Sequence, residues 1–192
     1  LAGTSTALGG VTFTVEVTTG DGQTTNAAVT VTTYDPVLIV TAALPDGAVG
    51  TRYSTSLAAT GGDGAFGWSL LAGPLPTGLT LDPSGLLSGT PTATATAAPL
   101  TFQTVTGDGQ TASVNLAITI RPALSISTTV LPEAEVGQLY SATLSATGGD
   151  GTFSWSLLSG SLPTPLSLST SGLIGGTPSA AEAVLFTAQV QT

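Results

Sequence analysis

Four aspartates recur in fixed settings, and they are the side chains best equipped for chemistry. Asp63 and Asp150 lie in Thr-Gly-Gly-Asp-Gly segments, and Asp21 and Asp108 lie in Gly-Asp-Gly-Gln-Thr segments. A carboxylate in such a loop reads in two ways. It is a turn residue, because Asp-Gly suits a tight reversal of the backbone. Alternatively it is one ligand of a calcium ion, which takes about six to eight oxygens from several carboxylates and carbonyls. Each segment supplies a single carboxylate, and no Asp-x-Asp-x-Asp-Gly loop is present. The turn reading therefore leads, and no cofactor is expected unless a calcium ion sits between units, with Asp35, Glu133 and Glu135 as further ligands.

Other chemistry is narrower still. Gly62 to Gly67 fits the spacing Gly-x-Gly-x-x-Gly. A nucleotide loop needs a strand before it and a helix after it, so that amides point at phosphate. Here Trp68 continues a strand pattern, and Ser154 takes the last position in the second copy. Glu133 and Glu135 are the one close acid pair, but their counterparts are Asp46 and Ala48, as expected of solvated surface charge. The chain has no His, Cys or Met, and its two basic residues are Arg52 and Arg121. That removes the usual general base, thiol nucleophiles, zinc-thiolate sites, disulfides and Schiff-base chemistry. It also removes Lys–Asn isopeptide cross-links. The expectation is a protein that is not an enzyme. Two separated cations in a chain of net charge −9 do not neutralise a phosphate backbone, so no nucleic-acid partner is expected. The longest β-branched apolar run, Val37 to Val40, is far short of the roughly 20 residues of a membrane helix, so no membrane insertion is expected. Asn26 and Asn115 do not sit in glycosylation sequons. Exposed Tyr34, Ser and Thr side chains leave a cell-surface glycan as a conceivable contact.

The elements that hold these residues repeat. Trp68 and Trp155 are 87 residues apart, and the same offset links Leu44-Pro45 to Leu131-Pro132, Tyr53 to Tyr140 and Gly89-Thr90-Pro91 to Gly176-Thr177-Pro178. It also links the two Gly-Asp-Gly-Gln-Thr segments. The chain divides into residues 1–36, the C-terminal part of one unit beginning at its Leu1 to Ser5 segment; residues 37–122, a whole unit; and residues 123–192, a unit without its last strand. Asp35-Pro36 and Arg121-Pro122 mark the joints, with almost no linker between units. In the whole unit, Val37 to Val40 and Tyr53 to Ala59 read as strands. Phe66, Trp68 and Leu70 share one face of the next, Asp63-Gly64 between these runs reads as a hairpin turn, and Leu79 to Leu81 and Leu86 to Ser88 flank a Pro-Ser-Gly turn. Phe102 opens a further strand, and Ala112 to Ile120 alternate cleanly through the last. About seven short strands without a helix predict an all-β fold of tandem immunoglobulin-like sandwiches. Tyr53, Phe66 and Trp68, with Tyr140, Phe153 and Trp155, are the expected structural core.

The order LPxxxVGxxY, ATGGDG, FxWSLxxG, LPxGLxLxxSGLLSGTP, then Phe and GDGQT, resembles the immunoglobulin-like, cadherin-related tandem-repeat family of bacterial surface proteins. Pro165 in place of Gly78 and Gly175 in place of Ser88 depart from the pattern in a loop and a short strand. The resemblance implies a structural extracellular repeat in a stalk, adhesin or filament at the cell surface, whose partners are neighbouring copies of the same repeat or protein. A glycan- or protein-binding adhesion module, or a spacer beside a secreted enzyme, is the alternative. The ragged ends leave two readings open. Either they bound a piece of a longer repetitive protein, or they are protomer termini. In the second case Thr25 to Tyr34 of one molecule completes residues 123–192 of the next by strand donation.

Overall fold

The computed structural model describes residues 8–192. The expected Leu1 to Ser5 segment lies outside the described residues. All regular structure among them is β, and none is a helix.

A hairpin comes first. Strands β1 (Gly9–Thr18) and β2 (Thr24–Thr33) pair antiparallel over their full length, from Gly9 opposite Thr33 to Thr18 opposite Thr24. Their alternation places Val11, Val15, Val17, Val29 and Val31 at surface positions, each at least 40% exposed.

The middle unit holds β3 (Leu38–Ile39), β4 (Gly47–Ala48), β5 (Tyr53–Ser56), β6 (Ala59–Thr60), β7 (Phe66–Ala72), β8 (Leu79–Leu81), β9 (Leu86–Gly89), β10 (Ala95–Thr106) and β11 (Thr111–Arg121). One sheet runs β4-β11-β10-β7; facing it are β5-β9-β8 and the pair β3-β6. The nine strands lie in two layers; β5 and β6 are one run broken at Leu57-Ala58, and the entering chain passes from one layer at β3 to the other at β4. The expected strand from Tyr53 to Ala59 is interrupted at Leu57-Ala58, because its first half pairs with β9 and its second with β3. The expected start of a strand at Phe102 is also corrected. Strand β10 begins at Ala95 and bulges between Ala95 and Ala98, where Ala97 takes a positive φ of 43°.

Alternation builds the core. Leu116, Ile118 and Ile120 of β11 point inward between more exposed neighbours, and Leu100, Phe102, Thr104 and Thr106 do the same on β10. These meet Tyr53, Leu57, Leu79 and Leu87 from the opposite layer, and Trp68 of β7 joins them from their own sheet. Trp68 and Tyr53 are buried, and Phe66 is half-buried against them.

The third unit repeats the plan with β12 (Ser125–Ile126), β13 (Tyr140–Thr143), β14 (Ala146–Thr147), β15 (Ser154–Ser159), β16 (Ser167–Leu168), β17 (Leu173–Gly176) and β18 (Thr187–Gln191). Strand β18 takes the place of β10 against the Trp-bearing strand: Val190 lies opposite Trp155 as Thr104 lies opposite Trp68. Its core is smaller. Leu144, Trp155 and Ile174 are buried, with Tyr140 and Phe153 half-buried beside them. A cis peptide bond joins Thr164 to Pro165.

One core residue is polar without reason. Thr104 is fully buried, and its hydroxyl has no hydrogen-bond partner. The repeat places Val17 and Val190 at the equivalent positions. A buried hydroxyl without a partner costs about 1–3 kcal/mol, so Thr104→Val should stabilise the middle unit by about 1–2 kcal/mol. Urea unfolding followed by Trp fluorescence checks this; an unchanged or lowered midpoint would mean that the hydroxyl is satisfied.

Candidate inter-unit joint

The repeated aspartates gather at one end of each sandwich, where the chain enters from the unit before. Three segments meet at this end of the middle unit: the entering residues 34–37, the β6–β7 corner and the β10–β11 turn. The corner contains Asp63-Gly64, and its role differs from the expected hairpin. Strands β6 and β7 belong to opposite layers and do not pair, so Asp63-Gly64 turns the chain from one sheet to the other. The Asp63 carboxylate accepts from Ala65 N at 3.1 Å within the corner and from Gly107 N at 3.0 Å across to the other turn. Asp150 holds its own corner in the same way, accepting from the backbone and hydroxyl of Thr152 at 2.8 and 2.6 Å.

The β10–β11 turn is a true hairpin. Thr106 and Gln110 close it through backbone bonds, and Asp108 fills its centre. The Asp108 carboxylate accepts from the Thr106 hydroxyl and from Gln110 Nε2, the latter at 2.7 Å. Asp21 repeats this with Thr19 and with Gln23 Nε2 at 2.8 Å. The Thr106 hydroxyl, then the Gln110 side chain, hold the Asp108 carboxyl below its ordinary range. For Asp21 the Thr19 hydroxyl is the larger cause, followed by the Gln23 backbone.

Gln110 then reaches out of the turn. Its Oε1 accepts from Val37 N at 3.0 Å, and its Nε2 donates to Asp35 O at 3.1 Å as well as to Asp108. Asp35 O accepts a second bond from Gly62 N of the corner, at 2.8 Å. The entering backbone is thus bonded on both sides, to the corner and to the turn. At the following joint Gly149 N donates to Pro122 O at 3.0 Å, and a Cβ built on Gly148 would lie 2.0 Å from Ala123 O. Both corners therefore grip the entering chain through glycine backbone.

Both cations of the chain lie at this second joint. Arg52 and Arg121 line a cavity of about 310 Å³ together with Asp46, Tyr53, Pro122, Leu124, Gly149 and Thr192. Arg121 is paired with Asp46 at 2.6 Å, with both side chains partly exposed. An ion pair so exposed contributes little to stability. Behind it, Tyr53 donates to Pro45 O at 3.0 Å, as Tyr140 does to Pro132 O. Burial, and secondarily the Asp46 charge, raise the Tyr53 phenol.

Of the calcium candidates, Asp63, Asp108, Asp150 and Asp21 each accept hydrogen bonds from the chain's own turns. No three His, Cys, Asp or Glu side chains converge on a common point among the described residues. Glu133 and Glu135 sit in the exposed loop before β13, away from any strand. The Gly62 to Gly67 segment runs from the corner into β7. The role of Gln110 escapes a reading of aspartates and glycines. The signal that could have shown it was present, because Gln23 and Gln110 recur at the same place in their turns.

Lowered carboxyls give this site a pH dependence of defined sign. A folded-state pKa below the unfolded value, ~3.9, means that the carboxylate's contribution is complete above that value and is lost as pH falls through the folded pKa. The Asp108 turn should therefore persist through mild acid, and its bonds to Thr106 and Gln110 should break only below the ordinary aspartate range. NMR titration of the Asp108 carboxyl and the Gln110 side-chain amide should show one shared, low midpoint; separate midpoints would disconnect the two groups.

A family model described as "Putative Ig domain" matches residues 35–121 and 122–192. No curated protein matches the chain. Among solved structures, the N-terminal eight Ig domains of Down Syndrome Cell Adhesion Molecule align at 15% identity and a TM-score of 0.54, over 94% of this chain and 34% of that one. Drosophila OTK extracellular domains 3–5 align at 11% identity and a TM-score of 0.53, over 93% and 68%. The protocadherin GammaB4 extracellular domain aligns at 16% identity and a TM-score of 0.38, over 91% and 35%. The chain spans about a third of the first and last of these structures.

Proposed function

Because the chain belongs to the "Putative Ig domain" family, in tandem copies, we propose that it is a structural segment of an extracellular stalk, adhesin or filament whose work is to hold a distance. The observation that carries this reading is the joint. Residues between one sandwich and the next are few, and those that exist are hydrogen-bonded to the following unit through Gln110, Gly62 and Gly149. A linker bonded in this way is held to the unit that follows it, which narrows the angles open to successive units. Strands of 10–12 residues in β1, β2, β10 and β11 set a rise of roughly 30–45 Å per unit. The family's setting, and the absence of Cys and Lys, fit a site outside the cell.

Strand donation extends the same reading to assembly. In the middle unit β11 lies on β10 and buries Leu116, Ile118 and Ile120. The matching edge of β18 is unpaired among the described residues, beside a groove lined by Leu131, Leu144, Trp155 and Phe186. Strand β2 has the β11 pattern, with exposed Val29 and Val31 in place of Leu116 and Ile118. Pairing β2 of one molecule with β18 of the next would satisfy that edge and link copies head to tail.

Small-angle X-ray scattering tests both levels. The stalk reading expects a stiff, elongated particle, and strand donation expects its length to grow with concentration. Gln110→Ala should leave both sandwiches folded while broadening the distribution of angles at the first joint. A folded-back particle, or a variant indistinguishable from wild type, would remove the proposed basis for stiffness.

A further inference from the structure

The first joint carries a bond with chemistry of its own. Two Asp-Pro bonds occur in the chain, Asp35-Pro36 and Asp82-Pro83, and both aspartates are exposed. Their surroundings differ. The Asp82 carboxylate is occupied, accepting from Ser84 N at 2.8 Å, and its carbonyl oxygen accepts one bond, from Gly85 N at 2.8 Å. The Asp35 carboxylate makes no hydrogen bond or ion pair among the described residues, whereas its carbonyl oxygen accepts two, from Gly62 N and Gln110 Nε2. From this difference we infer that the Asp35-Pro36 bond is an acid-labile release point, hydrolysed with the help of the Asp35 side chain, at the boundary between units.

The reaction needs only water and acid. An ionised carboxylate oxygen of Asp35 attacks the carbonyl carbon of the same residue and closes a five-membered ring. The charge that builds on the carbonyl oxygen falls where Gly62 N–H and Gln110 Nε2–H already donate, which is the arrangement that favours such an intermediate. The bond to the Pro36 nitrogen then breaks. That nitrogen, a tertiary amide more basic once pyramidal, takes a proton from the acidic water and leaves as the new amino terminus. The cyclic anhydride takes up one water and opens to a C-terminal aspartic acid. At Asp82 the same attack would first have to break the bond to Ser84, and its oxyanion would meet one donor. The titratable side chains on the segments packed around Asp35 are Asp63 of the corner, Asp108 of the turn and the neighbouring Tyr34. The first two are engaged in their own turns, and none is a cation that would pair with Asp35.

The consequence is a cut that leaves both sandwiches whole, since it falls between Thr33, the end of β2, and Leu38, the start of β3. The test is a time course of the full chain at about pH 3, within the range where aspartates ionise, followed by intact mass spectrometry. Near-ultraviolet circular dichroism monitors the fold. Fragments 1–35 and 36–192 should form roughly tenfold faster than fragments cut after Asp82, a cautious figure given that one oxyanion donor is worth about 10²–10³ in an enzyme. In concentrated urea the two bonds should be cut at similar rates. Asp35→Asn should spare the first bond only. Gln110→Ala should slow cutting after Asp35 relative to Asp82. Equal rates in the folded chain, the same preference in urea, or faster cutting in Gln110→Ala would each overturn the inference, the last by showing that loosening, not the donor, controls the bond. Unfolding at this pH would overturn it as well, because the joint could then direct nothing.

Discussion

Replacing Trp68 by alanine should strip most of the stability of a small middle unit, roughly 3–5 kcal/mol, while leaving that of the third unchanged. Trp68 is buried at the centre of the larger core, in contact with both layers, and its backbone N–H donates to Pro83 O at 2.9 Å, tying its sheet to the β8–β9 turn. Truncating a buried Trp costs roughly 3–5 kcal/mol, against a total of about 5–15 kcal/mol for a typical domain. The two cores share no residue, so the loss should stay local. Trp155 is then the sole fluorescent reporter and should show an unchanged urea transition. If its transition moved in step with that of the middle unit, the units would form one cooperative body and the picture of separate modules would fail.

Gly85→Ala should be nearly as damaging, for a reason that the same Trp supplies. Gly85 has φ of +91°, and a Cβ there would lie 2.8 Å from Trp68 Cδ1 and Nε1. The φ alone costs an alanine roughly 1–2 kcal/mol, and overpacking a core contact adds about 1–3 kcal/mol, so the loss should be roughly 2–5 kcal/mol. Gly172 stands under Trp155 in the same way, with φ of +87° and a Cβ distance of 2.8 Å. A double-mutant cycle separates the two terms. In a Trp68→Leu background the packing part should vanish and the φ part should remain. Full additivity would show that the indole does not press on Gly85. Leu57 N donates to Gly85 O and Leu144 N to Gly172 O, so this turn also anchors the neighbouring strand in both copies.

What the sequence revealed follows the physics of each feature. The fold class and the repeat were legible because alternation along β11 and β7 and the recurrence of Trp, Tyr and Pro are local or periodic. Trp68, Tyr53 and Trp155 were expected in the core and are buried there. Asp63-Gly64 reads as a hairpin in the sequence because a turn signal says that the chain reverses, not which strands pair afterwards; here a change of sheet intervenes. The start of β10 is hidden in the sequence because Ala95 to Pro99 is a bulged run of small residues with no alternation. Gln110 was invisible as a joint residue because its partner Val37 is 73 residues away in sequence. The unsatisfied Thr104 reads as an ordinary strand threonine until its burial is known.

The parallel pairing of β4 with β11 has a consequence for a chain held at its two ends. Ile120 lies beside Gly47 and Arg121 beside Ala48, Val49 N donates to Arg121 O at 2.9 Å, and Asp46 grips the Arg121 guanidinium across the same seam. Pulling enters the middle unit at β3, whose two residues pair with β6, passes to β4, and leaves past β11. Because β4 and β11 run in the same direction, that pull slides one along the other, and their bonds must rupture together instead of peeling open singly. The short β4, which adds almost nothing to the core, is placed where it bears tension.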